Sequence, residues 1–366
     1  MASGLQELVR AAAADASFDL CGFAPVGAEL RELERLPAWL DAGRAGEMDY
    51  LKRTDDQGRL KRAAIAHVAP WVRSAIVCAI NYNTAQPYST ASEDKTRGWI
   101  SRYAWGGAEA AADYHDHVLK RLRRVEAALV AAAGEREATV RSWCYVDTGP
   151  IVERVLAKYA GVGWIGKNTL VINQELGSWL FLGVILTSLE LVPDIPAADR
   201  CGTCTACLDA CPTNALTAPY QMDASRCISY LTIEKRGAIP EELRAGMGRQ
   251  LFGCDICQDV CPWKREAAVT TAPEFQARPE LVEPPLERIA EMSEQEFRAW
   301  FRGSPITRAR FSGMRRNAVV AMGNSGESRF LPLLEKLAGD TDPVLAEHAR
   351  WAIRRIRTTT AEPVTV

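Results

Sequence analysis

Apolar residues in the first two hundred positions alternate between helical spacing and shorter segments. Residues 5–16 and 108–132 have apolar side chains at helical spacing, whereas residues 73–82, 140–146 and 180–188 are strand-length segments rich in apolar and aromatic side chains. This alternation predicts helices interleaved with strands, because a helix repeats every 3.6 residues and strands favour β-branched and aromatic residues. We therefore expect an α/β domain whose loops gather at the strand ends, where ligands usually bind.

Three amphipathic segments near the end of the chain follow a different pattern. Residues 315–322, 331–337 and 344–356 are separated by Gly323-Asn324 and by a Gly-Asp-Thr-Asp-Pro turn. Helices joined by such short turns are typical of helical-repeat proteins. The length holds only about one to one and a half repeats. We therefore expect these helices to pack on the rest of the protein rather than to stand alone.

Proline-containing segments divide the chain into predicted domains. Pro193 and Pro196 precede a cysteine-rich segment, and a Pro-containing linker at residues 272–285 follows it. A chain of 366 residues agrees with two or three domains. The predicted domains are a catalytic domain at 1–198, a cysteine module of short helices and tight turns at 199–266, and a linker with a helical domain at 267–366.

Eight of the eleven cysteines follow the spacing of iron–sulfur ligands. The run C-x2-C-x2-C-x3-C-P begins at Cys201, and C-x2-C-x3-C-P repeats its second half from Cys254. In this pattern three thiolates hold one cubane and the fourth ligates another, and Cys227 replaces the cysteine that the second run lacks. A zinc ribbon and disulfides are the alternatives, although zinc prefers paired C-x2-C hooks. We predict two [4Fe–4S] clusters, the first held by Cys201, Cys204, Cys207 and Cys261, and the second by Cys211, Cys227, Cys254 and Cys257.

Composition agrees with a folded protein of a reducing compartment. The chain is 48% hydrophobic and 25% charged, and no apolar run is long enough to cross a bilayer. Its beginning lacks the basic and apolar stretches of an export signal, so eleven cysteines favour the cytoplasm over a disulfide framework. We expect a cytoplasmic monomer that does not bind membranes, with Cys21 and Cys78 in the core.

The net charge of −2 conceals an uneven distribution. Residues 302–357 carry eleven Lys or Arg and five Asp or Glu, a net charge of +6. A basic segment on an otherwise acidic chain is either a nucleic-acid-binding surface or a solvated helical face, and charge alone does not choose between them. In the first interpretation, the contacts to phosphate come from Arg315, Arg316, Arg354 and Arg355.

Asp147 is the residue of the first domain best suited to acid–base chemistry. It follows residues 140–146 and precedes Pro150, which is predicted to begin a helix at residues 151–159. A carboxyl group at a strand end would point into a cleft, where desolvation raises its pKa enough for it to donate a proton. The alternative is a structural Asp that caps this helix.

A Gly-rich loop and a histidine pair match no nucleotide or metal motif. Residues 161–168 fit neither a dinucleotide fingerprint nor a P-loop, but closely spaced glycines let a flat ligand approach the donors of Lys167 and Asn168. His115 and His117 lie two residues apart in a predicted helix. They face different sides and cannot chelate one ion, so we expect ordinary helix residues.

Five short motifs are specific in combination. They are Gly46-Glu47-Met48-x-Tyr50-Leu51, Pro70-Trp71-x-Arg73-Ser74, Tyr145-Val146-Asp147-Thr148-Gly149-Pro150, Gly163-Trp164-x-Gly166-Lys167-Asn168, and Cys227-Ile228-Ser229-Tyr230-Leu231-Thr232. Together with the cysteine module and the helical C-terminal segment, they resemble the epoxyqueuosine reductases over nearly the whole chain.

The resemblance implies a fold, a reaction and its partners. The implied fold is an α/β (α+β) nitroreductase-like cobalamin-binding domain, a two-cluster bacterial ferredoxin-like module and a C-terminal α-helical HEAT-like repeat. The implied reaction reduces epoxyqueuosine to queuosine at the wobble position of transfer RNA, the final step of queuosine biosynthesis. Electrons are expected from a flavodoxin or ferredoxin system. A cobalamin and iron–sulfur reductase of a small molecule, similar to the reductive dehalogenases, is the alternative function.

The resemblance also implies roles for individual residues. Asp147 matches the proton donor, which favours the catalytic interpretation over the helix cap, and Lys235 falls near the RNA. The Asp-x-His-x-x-Gly motif that supplies a histidine to cobalt elsewhere is absent, because Val118 occupies the Gly position. Cobalamin is therefore expected in its base-off form, without a protein His ligand. The residues expected around it are Arg62, Ser101, Asp147, Lys167, Asn168, Val171, Ser178, Leu182 and Ser229.

Overall fold

The structure, a computed structural model, describes residues 2–27, 30–107, 113–134 and 139–361. The strands of the first two hundred residues are β1 (Leu20–Ala24), β2 (Ser74–Asn81), β3 (Trp99–Ile100), β4 (Ser142–Tyr145), β5 (Trp164–Ile165), β6 (Val171–Ile172) and β7 (Leu180–Thr187). The α-helices are α1 (Ala2–Asp15), α2 (Leu36–Asp41), α3 (Tyr114–Gly134) and α4 (Glu153–Tyr159). The predicted helix at 108–132 corresponds to α3, and its first residues, 108–112, lie outside the described residues.

A four-stranded antiparallel sheet is the middle layer of this α/β domain. Its strand order is β1–β2–β7–β4. All eight residues of β2 are buried, which explains the apolar run in the sequence. Ile76 and Cys78 on one face of β2 pack in the same core as α1 and α3, while Val77 on the other face packs with α4. Burial on both faces confirms the expected α/β domain and places Cys78 in its core.

The cysteine module is joined to this domain by a strand pair. Its elements are α5 (Ala206–Asp209), β8 (Leu216–Ala218), β9 (Gln221–Met222), α6 (Ile228–Ile233), α7 (Glu241–Arg244), β10 (Gln250–Phe252) and α8 (Ile256–Asp259). The short helices and tight turns agree with the prediction. β10 pairs in parallel with β3 of the first domain, so backbone hydrogen bonds connect the two parts of the chain.

The C-terminal helices share one hydrophobic core with the cysteine module. They are α9 (Leu286–Glu291), α10 (Glu294–Trp300), α11 (Arg310–Ser325), α12 (Leu331–Leu337) and α13 (Pro343–Ala361). Phe252 of β10, Phe301 and Val320 belong to this core, and Trp99 of β3 joins it. The expectation that these helices pack on the rest of the protein is confirmed. The domain boundaries and the HEAT-like and nitroreductase-like classes stay predictions.

Two predicted connecting segments have different outcomes. Phe275 and Leu281 of the segment 272–285 are buried, and its role as a linker between domains stays a prediction. Gly323-Asn324 is not a turn, because α11 continues to Ser325 and ends at Gly326, whose φ of 72° is left-handed. A Cβ on Gly323 would lie 2.8 Å from Ala352 Cα of α13, so this glycine permits close packing of two helices.

The basic C-terminal segment is largely structural. Arg316 is 3% exposed, and its guanidinium donates hydrogen bonds to the carbonyls of Leu231, Lys235 and Gly237. The Arg315 side chain donates to Ala290 O and to Asp340. Arg315 and Arg316 are therefore engaged within the protein, contrary to the prediction that they contact phosphate. Arg354 and Arg355 are less constrained, and their contact with RNA stays a prediction. No helix in the described part of the chain is long and apolar enough to span a membrane.

The Gly323 contact predicts the outcome of a paired substitution. Gly323→Ala should destabilise the protein by about 1–2 kcal/mol, because the added methyl group overpacks the α11–α13 contact. Gly313→Ala on the same helix is the matched control, since its Cβ would lie 4.0 Å from Ala309 Cβ, an ordinary contact. It should stabilise by about 0.5–1 kcal/mol. Thermal unfolding of preparations with equal iron content measures both; equal stability of the two variants would contradict the packing argument.

Candidate functional site

Asp147 lies in a strained loop just beyond β4. Its φ of 56° is in the left-handed region, which non-glycine residues adopt rarely and mostly at functional sites. The following helix, α4, begins at Glu153 with Val152 as its N-cap. Asp147 therefore does not cap the helix. The prediction that Pro150 begins the helix was wrong. The structural alternative for Asp147 is thus removed.

Three side chains from distant segments surround the Asp147 carboxylate. The Tyr114 hydroxyl donates a hydrogen bond to Oδ2 at 3.2 Å. His115 Nε2 lies 3.5 Å from the same oxygen, and Arg308 Nη1 lies 3.7 Å from it. The carboxylate side chain is still 56% exposed. It is consequently held from one side and open to a substrate on the other.

The contacts of His115 favour its protonated form. Its Nδ1 lies 2.6 Å from Asp113 Oδ1, and its ring stacks on Tyr114. Burial alone would lower the pKa of His115, but the carboxylates of Asp113 and Asp147 outweigh it and raise this pKa to about 9. His115 is a half-buried residue of α3, as predicted, but its contacts with two acids were not predicted. The signal was the Asp113-x-His115 spacing at the start of α3, where the acid can reach back to the imidazole.

The environment of Asp147 stabilises its ionised form. The contact with His115 lowers the pKa of Asp147, and the charge of Arg308 and the Tyr114 hydroxyl act in the same direction. Desolvation does act to raise this pKa, as predicted, but these contacts outweigh it, so the predicted net direction was wrong. Glu153, six residues further on, behaves in the opposite way, because burial raises its pKa to about 7.

The eight motif cysteines assemble into two neighbouring groups of thiols. Burial and the adjacent thiols of Cys261, Cys201 and Cys204 raise the pKa of Cys207 to about 11. Burial likewise raises the pKa of Cys257, with further contributions from Cys227 and from Cys207 of the first group. Cys211 and Cys254 complete the second group, since each is electrostatically coupled to Cys227. The eight thiols therefore lie near one another, and their division into two sets of four ligands stays a prediction.

The eleven cysteines are all free, so no disulfide competes for the motif thiols. Zinc would draw four thiolates around one centre, whereas each thiolate of a cubane ligates a different iron. The C-x2-C-x2-C-x3-C-P spacing in the sequence is what favours cubanes over zinc.

Four of the nine residues expected around cobalamin lie where the first domain meets the cysteine module. Lys167 Nζ donates to the carbonyls of Gly202 and Cys204 at 2.7 and 2.8 Å, and Asn168 Nδ2 donates to Cys257 O at 3.4 Å. The Ser101 hydroxyl donates to Asp255, and Ser178 accepts from Gln258.

The other five residues of this set are dispersed over the first domain and α6. Arg62 donates to Gly149 O beside Asp147, Val171 is buried in β6, Leu182 is half-buried in β7 and Ser229 is half-buried in α6. Lys235, which is expected near the RNA, pairs with Glu47.

The Gly-rich loop serves packing rather than close approach of a flat ligand. A Cβ on Gly163 would lie 2.5 Å from Ile172 O, and one on Gly166 would lie 2.4 Å from Ile172 Cδ1. Both glycines allow β5 to pair closely with β6. An unsatisfied polar atom is instead found beside Asp147, where the buried Glu153 Oε1 lacks a hydrogen-bond partner among the described residues. A ligand with amide groups, such as the corrin of cobalamin, fits this site because an amide N–H can satisfy this oxygen.

Two family models match parts of the chain. A model described as a 4Fe-4S double cluster binding domain matches residues 200–264, which include all eight motif cysteines. A second, described as epoxyqueuosine reductase QueG, DUF1730, matches residues 62–148, which include Asp147. An iron–sulfur module docked on a domain with an exposed acid defines the class as an iron–sulfur oxidoreductase.

Similar proteins identify the family within this class. The epoxyqueuosine reductase of Pseudomonas aeruginosa is 41% identical over 346 residues, 91% of each chain. That of Escherichia coli is 40% identical over 338 residues, 91% of this chain and 86% of its own. The chain belongs to the epoxyqueuosine reductase family.

Solved structures agree with this family. An epoxyqueuosine reductase crystallised with an epoxyqueuosine-modified tRNA-Tyr stem loop superposes with a TM-score of 0.84 and 31% identity, covering 97% of this chain and 91% of its own. The structure of the Bacillus subtilis enzyme, whose catalytic aspartate loop is swung out of the active site, superposes with a TM-score of 0.83 and 29% identity. The match covers 100% of this chain and 96% of that one. The family fold therefore extends over the whole chain.

Iron content tests the predicted cluster ligands. Anaerobic reconstitution should give about eight iron per chain, four for each cubane. Cys207→Ser should reduce this content, because it removes a thiolate from the first group. Cys21→Ser is the matched control outside both groups and should leave iron unchanged. A stable preparation that holds only zinc would contradict the assignment.

The proton on His115 can be observed directly by NMR titration. We expect a pKa near 9 in the folded protein, above the ordinary value of 6.5. The protonated imidazole then contributes stability that is complete below about pH 6.5 and is lost as the pH rises through about 9. Asp113→Asn should lower this pKa, whereas Asp116→Asn, an exposed acid on the same helix, should change it little. A pKa at or below 6.5 in the unaltered protein would refute the assignment.

Proposed function

We propose that this protein reduces epoxyqueuosine to queuosine at the wobble position of transfer RNA, using cobalamin and two [4Fe–4S] clusters. The observation that carries the proposal is the contact between Asp147 and His115. It combines a stored proton with a carboxyl group that is open to a substrate on its other side. Such a pair is suited to protonating an oxygen as its bond to carbon breaks.

The reaction requires two electrons and two protons for each turnover. The epoxide loses its oxygen as water and a carbon–carbon double bond forms, so both electrons must come from outside the substrate. When present, the clusters supply electrons one at a time. A low-potential donor of the flavodoxin or ferredoxin type is the proposed source. The proposed ligands of the two clusters are the two sets of four cysteine thiols.

Cobalamin is the proposed cofactor at the substrate. When bound, it supplies a strongly reducing, nucleophilic cobalt centre, while the protein contributes orientation and electrostatics. Arg62, Ser229 and the unsatisfied Glu153 Oε1 would hold it, in the base-off form and without a His ligand. Lys167, Asn168, Ser101 and Ser178 would act from the boundary with the cysteine module, where their polar groups contact backbone and side chains of the cluster loops.

Asp147 and His115 would divide the proton transfer between them. Asp147 faces the substrate and hands over the proton, and His115 returns one to it. Asp113 holds the imidazole from its other nitrogen and fixes its orientation. This division explains how a carboxyl group with a lowered pKa could act as an acid, because the proton is stored on its neighbour.

Transfer RNA is the proposed substrate because a family member crystallised with a modified stem loop has the same fold. Sequence-specific RNA recognition usually takes a base out of a single-stranded loop, while phosphate contacts set the register. Lys235 is the proposed RNA contact from the cysteine module. Its ion pair with Glu47 would have to exchange for a phosphate.

Replacement of Asp147 tests the proposed role. Asp147→Asn keeps the size of the side chain and an acceptor for Tyr114 but cannot supply a proton. Turnover of modified RNA should fall by roughly 10²–10⁴, the usual contribution of a positioned general acid. Iron content and cobalamin binding should be unchanged, because the substitution removes neither a thiolate nor the size of the side chain. Asp49→Asn, an exposed acid, is the control; full activity in Asp147→Asn would end the proton-donor proposal.

A further inference from the structure

Arg308 connects the C-terminal helical domain to Asp147. Its Nη2 donates to Glu234 Oε1 at 2.7 Å, and its Nη1 lies 3.7 Å from Asp147 Oδ2. The guanidinium therefore bridges two carboxylates that belong to different parts of the chain. Its side chain remains 43% exposed, so a third anion can reach it from solvent.

The backbone around Arg308 is held firmly. The residue lies in a short 3-10 helix, Pro305–Ala309, in which Ile306 and Ala309 are buried. The Ser304 hydroxyl accepts a hydrogen bond from Ile306 N, and the Arg236 guanidinium donates to Arg308 O at 3.0 Å. These contacts fix the position from which the side chain extends, so its reach to Asp147 is built into the fold.

Arg308 differs from the other cations that act on Asp147. Arg62 donates to the backbone carbonyls of Tyr50 and Gly149, and Arg154 donates to Thr169 O. A backbone carbonyl does not leave its place when an anion arrives. Among the described residues, the hydrogen bonds and ion pairs of the Arg308 side chain are with carboxylates. A phosphate can take the place of a carboxylate in such a contact. Arg308 is thus the exchangeable cation of this site.

The remaining titratable neighbours of Asp147 do not compete for this role. Burial raises the pKa of Tyr50, Tyr103 and Tyr114, so these groups stay neutral. Glu153 is an acid and cannot replace a cation. His115 already holds its proton between two carboxylates. A change in the charge around Asp147 on binding of an anion must therefore come through Arg308.

Two further arginines gather at the same rim. Burial lowers the pKa of Arg236, and the positive charges of Arg310 and Arg308 lower it further, which shows that the three guanidinium groups lie close together. Arg310 is exposed, and no hydrogen bond or ion pair engages its side chain in the described part of the chain. Clustered guanidinium groups with an unpaired member are suited to a phosphate diester.

We propose that Arg308 is a positioning residue that couples RNA binding to proton transfer, because a phosphate of the substrate takes its guanidinium away from Asp147. This inference rests on the proposed function. Before binding, the cation keeps Asp147 ionised. After binding, the cation is neutralised and a negative charge lies nearby, and both changes favour the protonated carboxyl group. The enzyme then has its acid ready only when RNA is in place.

The coupling can be measured without turnover. The carboxyl band of protonated Asp147 can be followed by infrared difference spectroscopy against pH and assigned by its absence in Asp147→Asn. A stem loop with unmodified guanosine at the wobble position serves as an unreactive RNA. In the unaltered enzyme, RNA should move the midpoint of Asp147 protonation to higher pH. In Arg308→Gln the midpoint should start higher, and RNA should move it much less.

Control variants separate coupling from general damage. Arg308→Lys keeps the charge and should retain part of the RNA-induced shift. Arg329→Gln removes an exposed arginine that pairs with Glu287 at 2.9 Å, and it should behave as the unaltered enzyme. Glu234→Gln should hold Arg308 more tightly on Asp147 and enlarge the shift. It provides an independent test if Arg308→Gln loses its iron.

Kinetics give a second readout. Arg308→Gln should weaken RNA binding about tenfold, the effect of one charged hydrogen bond. It should also abolish the difference in the pH dependence of kcat between RNA and free epoxyqueuosine nucleoside, which has no flanking phosphates. An RNA-induced shift that persists undiminished in Arg308→Gln, or that is absent from the unaltered enzyme, would overturn the inference. Failure of the unaltered enzyme to reduce either substrate would instead refute the proposed function.

Discussion

The buried carboxylate of Asp255 holds the cysteine module on the catalytic domain. It directly follows Cys254, is 1% exposed, and accepts hydrogen bonds from Trp99 Nε1, the Ser101 hydroxyl and Arg102 N. A buried charge is costly unless several donors satisfy it. Displacement of the module would leave this carboxylate without partners, so the distance between the thiol groups and the first domain is tightly constrained. The parallel pairing of β10 with β3 adds to this constraint.

A second constraint acts on protons rather than electrons. Asp147, His115 and Arg308 come from a strand-end loop, a helix and the C-terminal domain, and their charges meet within 4 Å. Each partner favours the ionised carboxylate. The site is therefore set to hold its proton on the imidazole until the surrounding charges change.

The C-terminal helices have a structural role that their charge did not suggest. Arg316 satisfies three carbonyls around α6, the helix that follows Cys227. A guanidinium with five donors can serve several backbone acceptors at once, which a lysine could not do in the same geometry. Arg315, which pairs with Asp340, is likewise engaged within the protein. The helical domain thus supports the cysteine module before it can contact any RNA.

Local spacing in the sequence was sufficient to predict the cysteine motifs, the buried strand β2 and the position of Asp147 after β4. Cysteines separated by two residues are suited to ligate one cluster, and a strand buried on both faces must be apolar throughout. Tertiary structure alone decided the direction of the Asp147 pKa, the burial of Arg316 and the continuation of α11 through Gly323. Each of these depends on a partner many residues away: His115 and Arg308 for Asp147, the α6 carbonyls for Arg316, and Ala352 for Gly323. A helix position or a charge in the sequence specifies what a residue can do, but its long-range neighbours determine the electrostatic and steric environment in which it does so.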